Sequence, residues 1–263
     1  MRQVALRPVG PEDEMFLLDT AGEELPSRRG SGLLARCIVE PPSAAEVSAE
    51  LTVGDREALL LHLRRLTLGE SVDCLVRCPA EGCDEVMELE LQVGDLLVPA
   101  YGDVRREYEL GVDGTDGRYE IAFRLPSARD LDEAAALAAR SADAVEALLE
   151  SCISRVTCDG AAVGVADLPE PVRDAVADAM AERDPQAELE LDLNCPACDA
   201  SFSVVFDAAS FFLAELDGKL AQLLADVHVL ARHYHWSEPE ILELPPARRA
   251  RYLELIAGGA PAR

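Results

Sequence analysis

The stretch "CPAEGCDEVMELEL" (residues 78–91) and its echo "CPACDASFSVVF" (residues 195–206) decide how the rest of the chain is read. Each opens Cys-Pro, closes its turn with Cys-Asp and runs into apolar residues at alternate positions. A tight turn with two thiols presents half of a tetrahedral metal site. Two halves make a four-cysteine zinc centre that is closed and structural, with no position left for water. Cys78, Cys83, Cys195 and Cys198 are therefore the expected ligands of one structural Zn2+. Pro79 and Pro196 stiffen the turns, and Gly82 allows a positive φ just before the second ligand. Cys74 is a weaker substitute, because it falls inside the preceding strand. Asp84 and Asp199 are solvated loop acids or partners of the ligands.

The strands around the knuckles follow from period-two patterning. "SVDCLVRC" leads into the first, and Met87, Leu89, Leu91 and Val93 share one face after it. Leu189, Leu191 and Leu193 alternate with Glu188, Glu190 and Asp192 before the second, and Phe202, Val204 and Phe206 follow it. Strand, knuckle, strand, twice over, is the plan of a split zinc ribbon. A thioredoxin-like reading of Cys195 fails, since such a pair opens a helix and this one opens a strand. Cys37, Cys152 and Cys158 read as plain thiols.

The ribbon halves divide the chain. Residues 1–42 read as a partly extended arm, punctuated by "PSRRGSG". Residues 43–101 hold helices and the first knuckle hairpin. There Ser43 and Glu46 form a capping box, and a helix starting at Asp55 puts Leu59, Leu60, Leu63 and Leu66 on one face. Residues 102–186 form an insert. Its hairpin buries Tyr119, Ile121, Phe123 and Leu125, and Asp130 with Glu133 cap an Ala-rich helix. A further helix begins at Ser141 with Val145, Leu148, Leu149, Cys152 and Ile153 in its stripe, and the last is ended by Pro185. Residues 187–263 carry the second hairpin, a long helix from Asp207 and a short helical tail. Ser237 and Glu240 make a capping box there, and Pro245 and Pro246 break the chain. The expected class is α+β.

Composition narrows the function. The chain has 263 residues, 49% of them apolar, so a packed core is expected. Its 50 acidic residues against 24 basic ones give −26, which argues against nucleic-acid binding. The N-terminus lacks the apolar region of a signal peptide, and no apolar run is long enough to cross a membrane, so a cytoplasmic place is expected. No G-x-S-x-G, H-E-x-x-H, P-loop or dinucleotide turn is present, and no enzyme is expected. His62 reads as a surface or edge histidine; His233, His235 and Trp236 suggest a metal or base, but no third ligand of the right type lies nearby and a Trp plug between helices explains them. The densest basic cluster, Arg248, Arg249 and Arg251, lies in the tail beside the apolar anchors Trp236, Ile241, Leu242 and Tyr252. These seven residues are the expected partner contacts.

Three stretches carry a resemblance: "DREALLLHLRRLTLGESVDCLVRCP", the second knuckle running into "FDAASFFLAEL", and "LLADVHVLARHYHWSEPEILELPPARRARYLELI". From about Ser43 to Ile256 the chain resembles the T4-type baseplate hub assembly chaperone family of contractile phage tails and phage-tail-like injection systems. Members carry paired CPxC-type knuckles; this chain departs with C-x4-C at Cys78. The resemblance implies help in assembling the hub through contacts with hub, spike or tape-measure proteins. A permanent baseplate component and a zinc-ribbon adaptor in transcription are the other readings, the latter disfavoured by the acidic charge.

Overall fold

The computed structural model describes residues 4–22, 25–40, 48–99, 105–138 and 144–258. The chain divides into two units, residues 1–213 and 214–263.

The first unit opens with strand β1 (Ala5–Leu6), helices α1 (Pro11–Thr20) and α2 (Pro26–Cys37), and β2 (Ile38–Glu40), which pairs antiparallel with β1. Within the partly extended arm expected over residues 1–42, Pro11–Thr20 and Pro26–Cys37 are helical. The proline of "PSRRGSG" sits at the first helical position, where no N–H is missed. The glycines serve close approach between helices: a Cβ on Gly32 would come within 2.7 Å of the Phe16 ring. Asp13, fully buried, pins the corner by accepting hydrogen bonds from Arg7 Nη1 at 2.5 Å and Arg36 Nε at 3.1 Å.

Helix α3 (Val53–Leu68) starts earlier than expected, because Thr52 rather than Asp55 caps it; Thr52 Oγ1 accepts from the Asp55 N–H at 3.2 Å. Leu60, Leu61 and Leu63 are buried, whereas Leu66 lies on the solvent side. The expected Ser43–Glu46 box and the helix start at Ser141 lie outside the described residues.

Two separate antiparallel hairpins follow the ribbon plan. Strands β3 (Ser71–Arg77) and β4 (Val86–Gln92) form the first, with the one-turn helix α4 (Val93–Leu96) after it. The second pairs β9 (Leu189–Asn194) with β10 (Ser201–Phe206). Their inner faces share one core. Leu61, Val72, Val93, Leu96 and Ala208 are buried there, with Leu91, Leu189, Leu191, Phe206 and Phe211 packed against them.

Between the hairpins lies a lobe with its own core. Strands β5 (Tyr108–Asp113), β6 (Arg118–Phe123), β7 (Ile153–Cys158) and β8 (Ala161–Ala162) form an antiparallel sheet in that order. Helices α5 (Ala128–Ala138), α6 (Ala144–Cys152) and α7 (Glu170–Arg183) accompany it. Tyr119, Ile121, Phe123 and Leu125 are buried as the alternation required, against Val156, Leu168, Val172 and Val176. Two details differ. The cap of α5 is Ser127 with Asp130: Asp130 Oδ2 accepts from the Ser127 N–H at 2.8 Å, and Ser127 Oγ from the Asp130 N–H at 3.3 Å. Val145, expected in the core stripe, is 71% exposed.

Helix α8 (Ala208–Tyr234) begins in the first unit and continues into the second. The second unit adds α9 (Glu238–Leu242) and α10 (Pro246–Ala257). The capping box of Ser237 and Glu240 forms as expected, with Glu240 Oε2 accepting from the Ser237 N–H at 2.8 Å.

Candidate metal centre

Each knuckle is built by its own hairpin. The Cys78 N–H donates to the Glu85 carbonyl at 3.0 Å, and the Cys195 N–H to the Ala200 carbonyl at 2.9 Å, so each first cysteine closes its strand pair. Gly82 takes φ +77°, the left-handed conformation its position demanded. In the second knuckle that role falls to Asp199 at φ +56°, a residue that tolerates the conformation better than most.

The two turns meet at their tips. Sγ of Cys78 lies 3.7 Å from that of Cys198, and Sγ of Cys83 lies 3.8 Å from that of Cys195. All four sulfurs fall within 4.8 Å of one another. A disulfide needs about 2.05 Å, so the thiols are unbonded. A tetrahedron with metal–sulfur bonds of about 2.3 Å has edges of about 3.8 Å, which the two cross-hairpin distances match. The four cysteines thus fit a single metal ion. Cys78 and Cys195 are buried, Cys83 is half-buried, and Cys198 is exposed at the rim. Cys74 is not among them: four residues of extended strand put it about 13 Å up the hairpin.

The electrostatics of the four sulfurs favour a cation. The Ala80 N–H supports a thiolate at Cys78, but desolvation and the three neighbouring sulfurs outweigh it and push that thiol up to about 12. At Cys195 desolvation opposes ionisation, yet N–H groups of Ala197 and Cys198 and the neighbouring thiols prevail, bringing it down to about 7. One thiolate forms readily and the next is resisted. A divalent cation at the centre removes that conflict.

What brings the halves together was not readable from the knuckles. Buried Gln186 spans them: its Oε1 accepts from the Val98 N–H at 2.7 Å and its Nε2 donates to the Leu96 carbonyl at 3.2 Å. Asp184 Oδ2 accepts from the Gly54 N–H at 2.9 Å, fastening the start of α3 to the end of α7. Glu57 accepts from Arg56 at 2.9 Å and from the Ala209 N–H at 3.1 Å, tying α3 to the first turn of α8. Burial raises the pKa of Glu57 and Arg56 opposes that rise. In sequence these are ordinary polar residues, and no local signal marks them as buried.

The seven expected partner contacts fall in the second unit and differ in access. Trp236 is half-buried, stacked on Tyr234 with ring centroids 4.7 Å apart and set edge-on to Tyr252 at 4.9 Å. Ile241 is fully buried, so it is an internal anchor and is removed from the contact set. Leu242 is 39% exposed. Arg249 donates to the Leu244 carbonyl at 2.8 Å, capping the end of α9. Arg251 pairs with Glu254 on its own helix, and Arg248 is exposed.

Among the described residues no helix is long and apolar enough to cross a membrane. No curated protein and no solved structure matches the chain. A family model does: T4 bacteriophage base plate protein, over residues 31–213. That span takes in both hairpins, the lobe between them, the polar ties and the start of α8. With most of its length matched, and all four clustered cysteines inside the match, the chain belongs to the T4 bacteriophage base plate protein family.

Proposed function

We propose that this protein is a non-catalytic assembly factor, a chaperone, for the baseplate hub of a phage tail or contractile injection system. It works in the cytoplasm through contacts with hub, spike or tape-measure proteins. The observation that carries this reading is the family match over residues 31–213. The metal is zinc, held by Cys78, Cys83, Cys195 and Cys198. Four thiolates at tetrahedral spacing suit it, and a closed set of this kind holds a fold rather than a substrate.

The test separates a transient helper from a permanent component. The chain is co-expressed with its tail genes, and assembled particles are separated from lysate by sedimentation. A chaperone stays in the lysate fraction, and its deletion leaves hubs unassembled. Stoichiometric chain in washed particles would overturn the chaperone reading in favour of a structural component.

A further inference from the structure

The family match ends at Leu213, where the first structural unit also ends. Residues 214–263, although part of the stretch that carries the resemblance in sequence, form the second unit and lie outside the matched span. Their charge differs too. Residues 1–213 hold 43 acidic against 18 basic side chains, whereas residues 214–263 hold 7 against 6.

Within that unit α10 stands out because none of its residues is buried. Its inner stripe, Arg249, Tyr252, Leu253 and Ile256, is only half-covered, and Leu255 is 40% exposed. Twelve-residue helices are marginal in water on their own, so this one is held at one end and left open along its length. The hold is specific. Tyr252 meets Tyr234 and Trp236 with centroids 5.4 and 4.9 Å away, Arg249 caps α9, and Pro246 starts the helix. The outward side presents Arg248, Arg251 and Leu255 at helical spacing. Arg248 makes no ion pair among the described residues. The Arg251–Glu254 pair is solvent-exposed and readily exchanged for a better one.

We infer that α10 is a preformed docking helix that seats Leu255 and its neighbours in an apolar groove rimmed by carboxylates on another protein. Charge complementarity names the rim: two exposed guanidinium groups lie one and two turns before Leu255 on the same side of the helix, and Arg favours bidentate carboxylate partners. Because the helix is already formed and oriented, binding costs little ordering entropy. A second copy of this chain is disfavoured as the partner, since each copy carries −26 and repels its like.

The inference rests on the baseplate reading for the identity of the partner, and so for the choice of probes. Purified hub, spike and tape-measure proteins from the same gene cluster are titrated separately with the full chain, the double variant R248E/R251E, and Leu255→Asp. One probe is expected to bind the intact chain. Both variants should weaken that binding roughly tenfold or more, with the charge variant losing most of its salt dependence. Metal content and unfolding midpoint should match the intact chain, because the substituted side chains are exposed. Unchanged binding by both variants overturns the docking helix and leaves the baseplate reading standing. Self-association that depends on Arg248 overturns it in favour of a second copy. Failure of the intact chain to bind any probe removes the baseplate reading, and the docking helix with it.

Discussion

Replacing Asp13 by asparagine tests whether the first forty residues form a folded corner. The carboxylate is wholly buried and accepts from Arg7 at 2.5 and 3.1 Å, from Arg36 Nε at 3.1 Å and from the Gly10 N–H at 2.9 Å. Burial by itself would raise its pKa. The bonds from Arg7, Gly10 and Arg36 overcome that and hold it at about 2, below the ordinary 3.8. A depressed folded value means the contribution is complete above about pH 3.8 and is lost as pH falls through about 2. The gap between those values corresponds to about 2.4 kcal/mol at pH 7. Arg7 and Arg36 are 40% and 39% exposed, so solvent screening brings the expected loss to about 1–2 kcal/mol. Asparagine keeps the shape and one acceptor for the Gly10 N–H. The assay is urea unfolding of the native chain and Asp13→Asn across a pH series. Subtracting the two at each pH cancels any metal loss common to both. The difference should fall to about half its neutral value near pH 3 and nearly vanish near pH 2. A difference that is zero at pH 7, or constant across the series, would refute the reasoning.

Metal analysis of native chain should return about one equivalent, and Cys195→Ser should fall well below it. Chelation should then speed hydrogen exchange at the amides of Cys78 and Cys195 while those of β6 and β7 stay protected, because the lobe core is independent of the knuckles. Phe123→Ala, at a fully buried site, should cost about 3–5 kcal/mol by denaturant unfolding, whereas Val145→Ala on the exposed side of α6 should stay within about 0.5 kcal/mol. Glu57→Ala should cost about 3–5 kcal/mol, since it leaves the buried Arg56 guanidinium without its carboxylate; equal stability of that variant would show that the pair holds nothing.

The knuckle ligands and hairpins were legible because each is encoded locally: two residues in a turn, then strict alternation. The same holds for Tyr119, Ile121, Phe123 and Leu125. The N-terminal corner was misread because Pro26, Gly30 and Gly32 carry one signal for loops and another for helices in close contact. The Phe16 ring against Gly32, and Arg56, Leu60 and Ala209 against Gly30, decide between them, and those contacts are not local. Ile241 was read as an outward anchor for a related reason: an apolar residue in a short helix says that it packs, and leaves open on what. Gln186 and Glu57 were invisible because their roles are set by partners 88 to 152 residues away.

Those long-range ties also explain how a metal site tolerates being cut in two. Cys83 and Cys195 are 112 residues apart, and a chain brought together only by the ion would have to close that whole loop at the moment of binding. The structure closes it elsewhere. The lobe leaves the ribbon after Val98 and returns before Leu189, and Gln186 bonds to Val98 and Leu96 at the point of departure. Exit and return therefore lie side by side, the arrangement that makes an inserted domain tolerable. The shared core of Leu61, Val72, Val93 and Ala208 then packs the two hairpins together through contacts that do not involve the cysteines. What the ion adds is local: it would bridge two turns whose four sulfurs lie within 4.8 Å of one another and let them ionise together. The protein chain does the long-range closure, and the metal locks its tip.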